Sequence, residues 1–207
     1  MIIAVDGPTA SGKGTIAKAL AAYFGLPHLD TGLLYRAVGR QVQLHGGSPD
    51  SEADALAACD FPDHLMADPE LRSEATGGLA SRVSVHPAVR DALFGLQRAF
   101  ATQAGGAVLD GRDIGTVIAP EAEVKLFVIA SIAARAERRL LEMRAAGRKA
   151  NLAEIAADLA ARDHRDASRA TAPLLAASDA VILDTSLLGC DEAIARAIAL
   201  AELILAN

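Results

Sequence analysis

Short apolar runs alternate along the chain with longer stretches in which apolar positions recur every three or four residues. The runs Ile2 to Val5, Ala107 to Leu109, Val124 to Ala130 and Ala180 to Leu183 predict buried strands, and a further strand is expected around Leu26 to Leu29. Helical spacing covers Thr15 to Phe24, Leu33 to Leu44 and Pro87 to Ala104. The last opens with proline at a helix start and sets Val89, Leu93, Leu96 and Phe100 at helical spacing. Ser131 to Arg144 predicts a helix with an outward stripe of Arg and Glu, and Asn151-Leu152-Ala153-Glu154 has the spacing of a capping box for the next one. Strands and helices in this alternation predict an α/β protein, with a central parallel sheet flanked by helices on both faces.

Residues 46 to 80 break the alternation, with Gly46-Gly47-Ser48-Pro49 at one end and Thr76-Gly77-Gly78 at the other. Ser48-Pro49-Asp50 before an alanine-rich stretch predicts a cap, a proline in the first helical position and a short helix. Ala, Asp and Glu stand where strands would need alternating Val, Ile or Thr, so helix and loop are expected here and no three-stranded sheet. The segment is read as an insertion in one domain, residues 1 to 207.

Composition narrows the function classes. A hydrophobic fraction of 52%, with no Trp and few other aromatics, suits an aliphatic α/β core, and 207 residues suffice for it without disulfide or metal support. The net charge of −6 disfavours a surface that tracks nucleic-acid phosphates. Lysine stands at only four positions and arginine supplies the other basic residues; a guanidinium fork matches phosphate oxygens two at a time, although a coding bias gives the same preference. Cys59 and Cys190 form no metal or disulfide pattern, and the histidines show no ligand spacing. With no signal-type segment and no apolar stretch long enough to span a bilayer, a soluble, cytoplasmic monomer is expected.

The most pointed segment is Gly7-Pro8-Thr9-Ala10-Ser11-Gly12-Lys13-Gly14-Thr15, between the first strand and the first helix. Glycines there let backbone N–H groups turn in on a polyphosphate, the helix presents its positive end, and Lys13 reaches the phosphoryl oxygens. Gly14 takes the usual Ser/Thr position and Thr15 follows, an order similar to nucleoside monophosphate kinases.

Three further segments carry candidate chemistry. Asp30-Thr31-Gly32-Leu33-Leu34-Tyr35-Arg36 reads equally as a monophosphate site or as a helix cap followed by a solvated arginine. In Asp110-Gly111-Arg112-Asp113 a strand ends at the place where ligands collect in α/β sheets; Asp110 is either a carboxylate supporting Mg²⁺, through water, or an ordinary turn residue. Arg162, Asp166 and Arg169 share a helical face, which alone reads as a salt-bridged surface and beside a phosphate cradle reads as movable positive charge on a closing segment.

Taken in order, Gly7-x4-Gly12-Lys13-Gly14-Thr15, Asp30-Thr31-Gly32-x2-Tyr35-Arg36, Ala80-Ser81-x4-His86-Pro87-x-Val89-Arg90, Asp110-Gly111-Arg112-Asp113-x-Gly115-Thr116-Val117 and Arg162-Asp163-x2-Asp166-x2-Arg169 resemble the bacterial cytidylate kinase family from end to end. The resemblance implies a P-loop kinase fold with a shortened monophosphate-binding insert at 46–80 and a helical lid at 145–172. It implies transfer of a phosphoryl group from ATP, with Mg²⁺, to CMP or dCMP. Gly7, Ser11, Gly12, Lys13, Gly14 and Thr15 would bind ATP, with Thr15 and Asp110 on the metal side. Arg36 and Arg112 would grip the acceptor phosphate with help from Lys13, while Thr31 and Tyr35 line the same cleft. Ser81, Arg90, Asp113 and Arg169 match positions that hold cytosine, and Arg162 and Asp166 positions near the sugar. Lys13, Arg36, Arg112, Arg162 and Arg169 form the expected catalytic set.

Bacterial members commonly carry a small antiparallel sheet in the insert, which is expected here to be absent or replaced by helix. Two other classes fit part of the pattern. One is a small P-loop kinase acting on another nucleotide or on an anionic metabolite such as shikimate; the other is a nucleotide switch, against which stands the lack of an Asn-Lys-x-Asp segment.

Overall fold

The computed structural model describes residues 1–145 and 147–206; Ala146, within the expected lid, and Asn207 lie outside the described residues. In chain order the elements are β1 (Ile2–Asp6), α1 (Lys13–Phe24), β2 (His28–Asp30), α2 (Thr31–Leu44), α3 (Glu52–Ala57), α4 (Glu74–Val83), α5 (Pro87–Ala101), β3 (Ala107–Gly111), β4 (Val124–Ile129), α6 (Ile132–Ala145), α7 (Leu152–Ser168), β5 (Val181–Asp184) and α8 (Cys190–Leu205). Among the described residues one parallel sheet forms, in the order β2-β3-β1-β4-β5.

β1 is central because every one of its residues is buried, as a strand covered on both faces requires. Side chains alternate across it. Ile3 and Val5 pack with Ile16 and Leu20 of α1, Val128 of β4 and Ala197 of α8, whereas Ile2 and Ala4 pack on the opposite face with Leu109, Ile114 and Ala101 of α5. A third cluster joins Leu34, Val38 and Val42 of α2 to Val83 of α4 and to Val89 and Leu93 of α5, and so builds the wall beside the sheet.

Residues 46–80 contain α3, two 3₁₀ turns (Asp63–Ala67 and Pro69–Arg72) and the first part of α4, with no strand among the described residues. The short helix starts later than expected. Ser48 Oγ accepts from the Asp50 amide in a local turn, and Ser51 becomes the cap by accepting from the Asp54 amide at 3.3 Å. Asn151 likewise caps α7 through the amide of Ala153, one residue earlier than a capping box requires. α6 departs most from expectation: Arg135, in the stripe expected to face outward, is buried.

Candidate active site

β1 and β3 run side by side with Asp6 opposite Gly111, and β2 puts Asp30 opposite Asp110, so three chain segments leave the same edge of the sheet together. Outside these carboxyl ends lies a cleft of about 720 Å³. Every expected site residue lines it except Gly7. That glycine sits at the base of the loop with φ of +151°, and a Cβ there would come within 2.1 Å of the Val128 carbonyl oxygen, so its part is to let the loop leave the sheet.

Gly12, at φ of +92°, turns the loop into α1. Lys13 is buried at the first helical position, its Nζ donating to Pro8 O at 3.3 Å. Burial first, then the charge of Arg112, lowers its pKa to about 8, against the opposing pull of Asp110, Asp30 and Asp166. Ser11 Oγ is buried without a protein partner, although the loop backbone on either side of it is braced at Thr9 O and Ser11 O. The bracing comes from α6 and from the residue after β5: Arg135 donates to Thr9 O at 3.1 Å, and Thr185 Oγ1 donates to Ser11 O at 2.8 Å while accepting from Arg138. An unspent hydroxyl among inward-facing amides fits a polyphosphate.

Across the cleft, Arg112 donates from Nε to Asp166 Oδ2 at 2.9 Å and from a terminal nitrogen to Thr9 Oγ1 at 2.6 Å, so it bridges α7 and the glycine loop. Asp113 is buried against the Arg90 guanidinium, which in turn lies 5.6 Å from the Tyr35 ring centroid. Burial raises the pKa of Asp113, opposed by the charges of Arg90, Arg169 and Arg112. Arg169 donates to Ala172 O at 2.8 Å. Thr31 Oγ1 donates to Asp110 O at 2.8 Å, so its hydroxyl proton is spent on the backbone.

The remaining cationic groups gather around the end of the insert. Arg36 donates to Leu71 O and Ser73 O at 2.7 and 2.9 Å, and burial, then the nearby Arg162, lowers its pKa to about 10. Arg162 pairs with Asp158 at 2.9 Å and with Glu74 at 3.0 Å, and the Glu74 carboxylate also meets Arg139. Ser81 Oγ accepts from Arg165 Nε at 3.1 Å.

No group of three or more His, Cys, Asp or Glu among the described residues could hold a metal ion by itself. A divalent cation here would depend on phosphate oxygens, with the exposed Thr15 and the buried Asp110 lining the cleft; Asp110 is also bonded to His28, Oδ1 to Nε2 at 2.7 Å.

Sequence reasoning missed Asp6, Glu74, Arg135, Arg138, Arg139 and Arg165. Asp6 had a signal, an acid directly after an apolar strand and before the glycine loop. The arginines of α6 had none, since their periodicity is that of an ordinary solvated helix face.

The family model described as cytidylate kinase matches residues 3–203. The chain is 55% identical over 203 residues to a protein named cytidylate kinase from Azorhizobium caulinodans, with 98% of each chain covered. It is 51% identical over 208 residues to one of the same name from Rhodopseudomonas palustris strain HaA2, covering 100% of this chain and 98% of the relative. A third, from Xanthobacter autotrophicus, is 55% identical over 203 residues, with 98% and 97% covered.

Proposed function

The chain belongs to the cytidylate kinase family, an ATP-dependent group of nucleoside monophosphate kinases, and from that premise we propose how its residues divide the transfer of the ATP γ-phosphoryl group to CMP or dCMP. The observation that carries the proposal is the convergence of Lys13, Arg112 and the Arg162–Arg169 segment on one cleft.

Loop amides from Ser11 to Thr15, with Lys13, hold the donor phosphates. Arg36 and Arg112 take the acceptor phosphate, which is already an anion at neutral pH and needs no general base. Ser81, Arg90, Asp113 and Arg169 hold cytosine, while Arg162 and Asp166 face the sugar. Lys13 and the arginines offset repulsion between the two phosphate groups, and burial strengthens each charge by excluding water. Magnesium, held by phosphate oxygens with Thr15 and Asp110, would supply further charge neutralisation on the donor. Residues 46–80 serve as the shortened acceptor-side insert and 145–172 as the lid. The proposal includes a monomer acting on free nucleotides in the cytoplasm; no helix among the described residues is long and apolar enough to cross a membrane.

Cytosine offers an amino donor where uracil has a carbonyl, so an ionised Asp113 accepts from the first and meets a lone pair on the second. In a coupled assay with ATP and Mg²⁺ across a panel of monophosphates and shikimate, CMP and dCMP should exceed UMP by roughly tenfold to a few hundredfold in kcat/KM. Asp113→Ala should shrink that ratio mainly by damaging CMP phosphorylation. Equal use of UMP, or a full ratio in the Ala variant, defeats the base-reading role.

A further inference from the structure

One buried carboxylate beside the cleft has no part in the mechanism above. Asp6 ends β1, is 5% exposed, and is the residue directly before Gly7. Its Oδ1 accepts from the Ile114 amide at 2.9 Å and its Oδ2 from the Gly115 amide at 2.8 Å. These are the first two amides after Asp113. β1 and β3 also place Asp6 opposite Gly111, so the chain leaves the sheet beside Asp6 at Gly111 and is caught by the same residue at Ile114 and Gly115. The span between the two anchors is Arg112 and Asp113. A Cβ at Gly115 would lie at an ordinary contact distance of 3.5 Å from Asp6 Oδ2 and at a tighter 3.2 Å from the Lys125 side-chain stem.

We propose that Asp6 is a positioning residue for acceptor recognition: by accepting two successive backbone N–H groups it fixes the turn that presents Arg112 to the acceptor phosphate and Asp113 to the base, and it ties that turn to the base of the phosphate loop. The proposal rests on the assignment of Asp113 to cytosine. Its physical basis is the strength and direction of hydrogen bonds to an ionised acceptor, which hold a turn more firmly than neutral contacts do. Arg112 and Asp113 lie between β3 and the helical turn Ile114–Ile118; Asp166 and Arg90 hold their side chains, while the two bonds to Asp6 fix the start of that turn and with it the backbone from which both side chains project. Burial raises the pKa of Asp6 to about 6, with Asp113 adding to the rise and the two amide bonds and Lys13 opposing it; Lys125 of β4 sends its ammonium away to Pro120 O and Asp179.

The test is Asp6→Asn, which keeps the shape and one acceptor but turns an N–H₂ toward the second amide. KM and kcat are measured for CMP, UMP and ATP together with the folded fraction. The expected result is a fall of about tenfold in kcat/KM for CMP carried mostly by KM, an ATP KM changed by less than about twofold, and a CMP to UMP ratio reduced by at least about threefold. That ratio is insensitive to how much of the protein is folded, so mere destabilisation leaves it unmoved. Asp6→Ser, whose single shorter hydroxyl cannot accept from both amides, should lower the ratio in the same direction and keeps the question open to measurement if the Asn variant does not fold. A wild-type ratio in whichever variant folds overturns the role of Asp6 alone. A wild-type enzyme without preference for CMP overturns the assignment of Asp113, and the proposal falls with it.

Discussion

Arg135 of α6 grips Asp163 of α7 with two parallel hydrogen bonds, of 3.0 and 2.6 Å, while the same guanidinium donates to Ala130 O and to Thr9 O. One side chain thus holds the residue after β4, the glycine loop and α7 in a fixed relation. Lysine cannot reproduce a planar fork with donors in several directions. Arg135→Lys is therefore expected to lower stability by about 1 to 3 kcal/mol and to raise the ATP KM, because the loop carbonyl at Thr9 loses its partner. Urea denaturation and steady-state kinetics check this; unchanged values for both would mean that the tie contributes little.

Lys13 is the fixed charge nearest the donor phosphates in the proposed mechanism. Its replacement by Met should lower turnover by at least a hundredfold, on the order of 3 kcal/mol of lost transition-state stabilisation. CMP binding, measured by calorimetry without ATP, should weaken much less. Near-normal turnover would remove Lys13 from the reaction path.

The raised pKa of Asp6 gives a pH dependence of definite sign. An unfolded chain releases this proton near 3.8, whereas the fold retains it to about 6. Between those values the native state binds more protons than the unfolded state, so the contribution of Asp6 to stability is full below pH 4 and is lost as pH rises through about 6. The difference in unfolding free energy between wild type and Asp6→Asn should fall across that window by on the order of 3 kcal/mol and stay level above it. Denaturant titrations at several pH values read this directly. A difference that is flat, or that grows with pH, contradicts the burial of a reluctant carboxylate.

The strands and the long helices were legible because their signals are local: an apolar run such as Ile2 to Val5 has only a buried strand to form, and the Lys13 loop announces itself by glycine spacing. Cap positions were less so, since Ser48 and Ser51 offer the same hydroxyl and only the competing turn at Asp50 decides between them. Arg135 was illegible in principle. Periodicity marks α6 as half polar, but it does not say that α7 and the phosphate loop close over that polar half and make it an interior. Thr31 was placed correctly beside the cleft, yet its hydroxyl turns to Asp110 O across β2 and β3, a pairing that depends on strand order. Gly7 was assigned to the nucleotide from its place in the motif, whereas its neighbour is a carbonyl of β4.

Gly39 of α2 sets how closely two helices beside the cleft approach each other. A Cβ there would lie 2.7 Å from Leu79 Cβ and 3.0 Å from the Leu79 carbonyl carbon, so α2 and α4 meet almost backbone to backbone. Arg36 adds a second fastening one turn away, at Leu71 O and Ser73 O. Helices joined so closely do not slide past one another without unpacking. The side of the cleft bearing Arg36 and Ser81 is therefore a single stiff plate, and under the proposed assignment the acceptor would meet these two residues as it would the teeth of a comb, at a spacing set before it arrives.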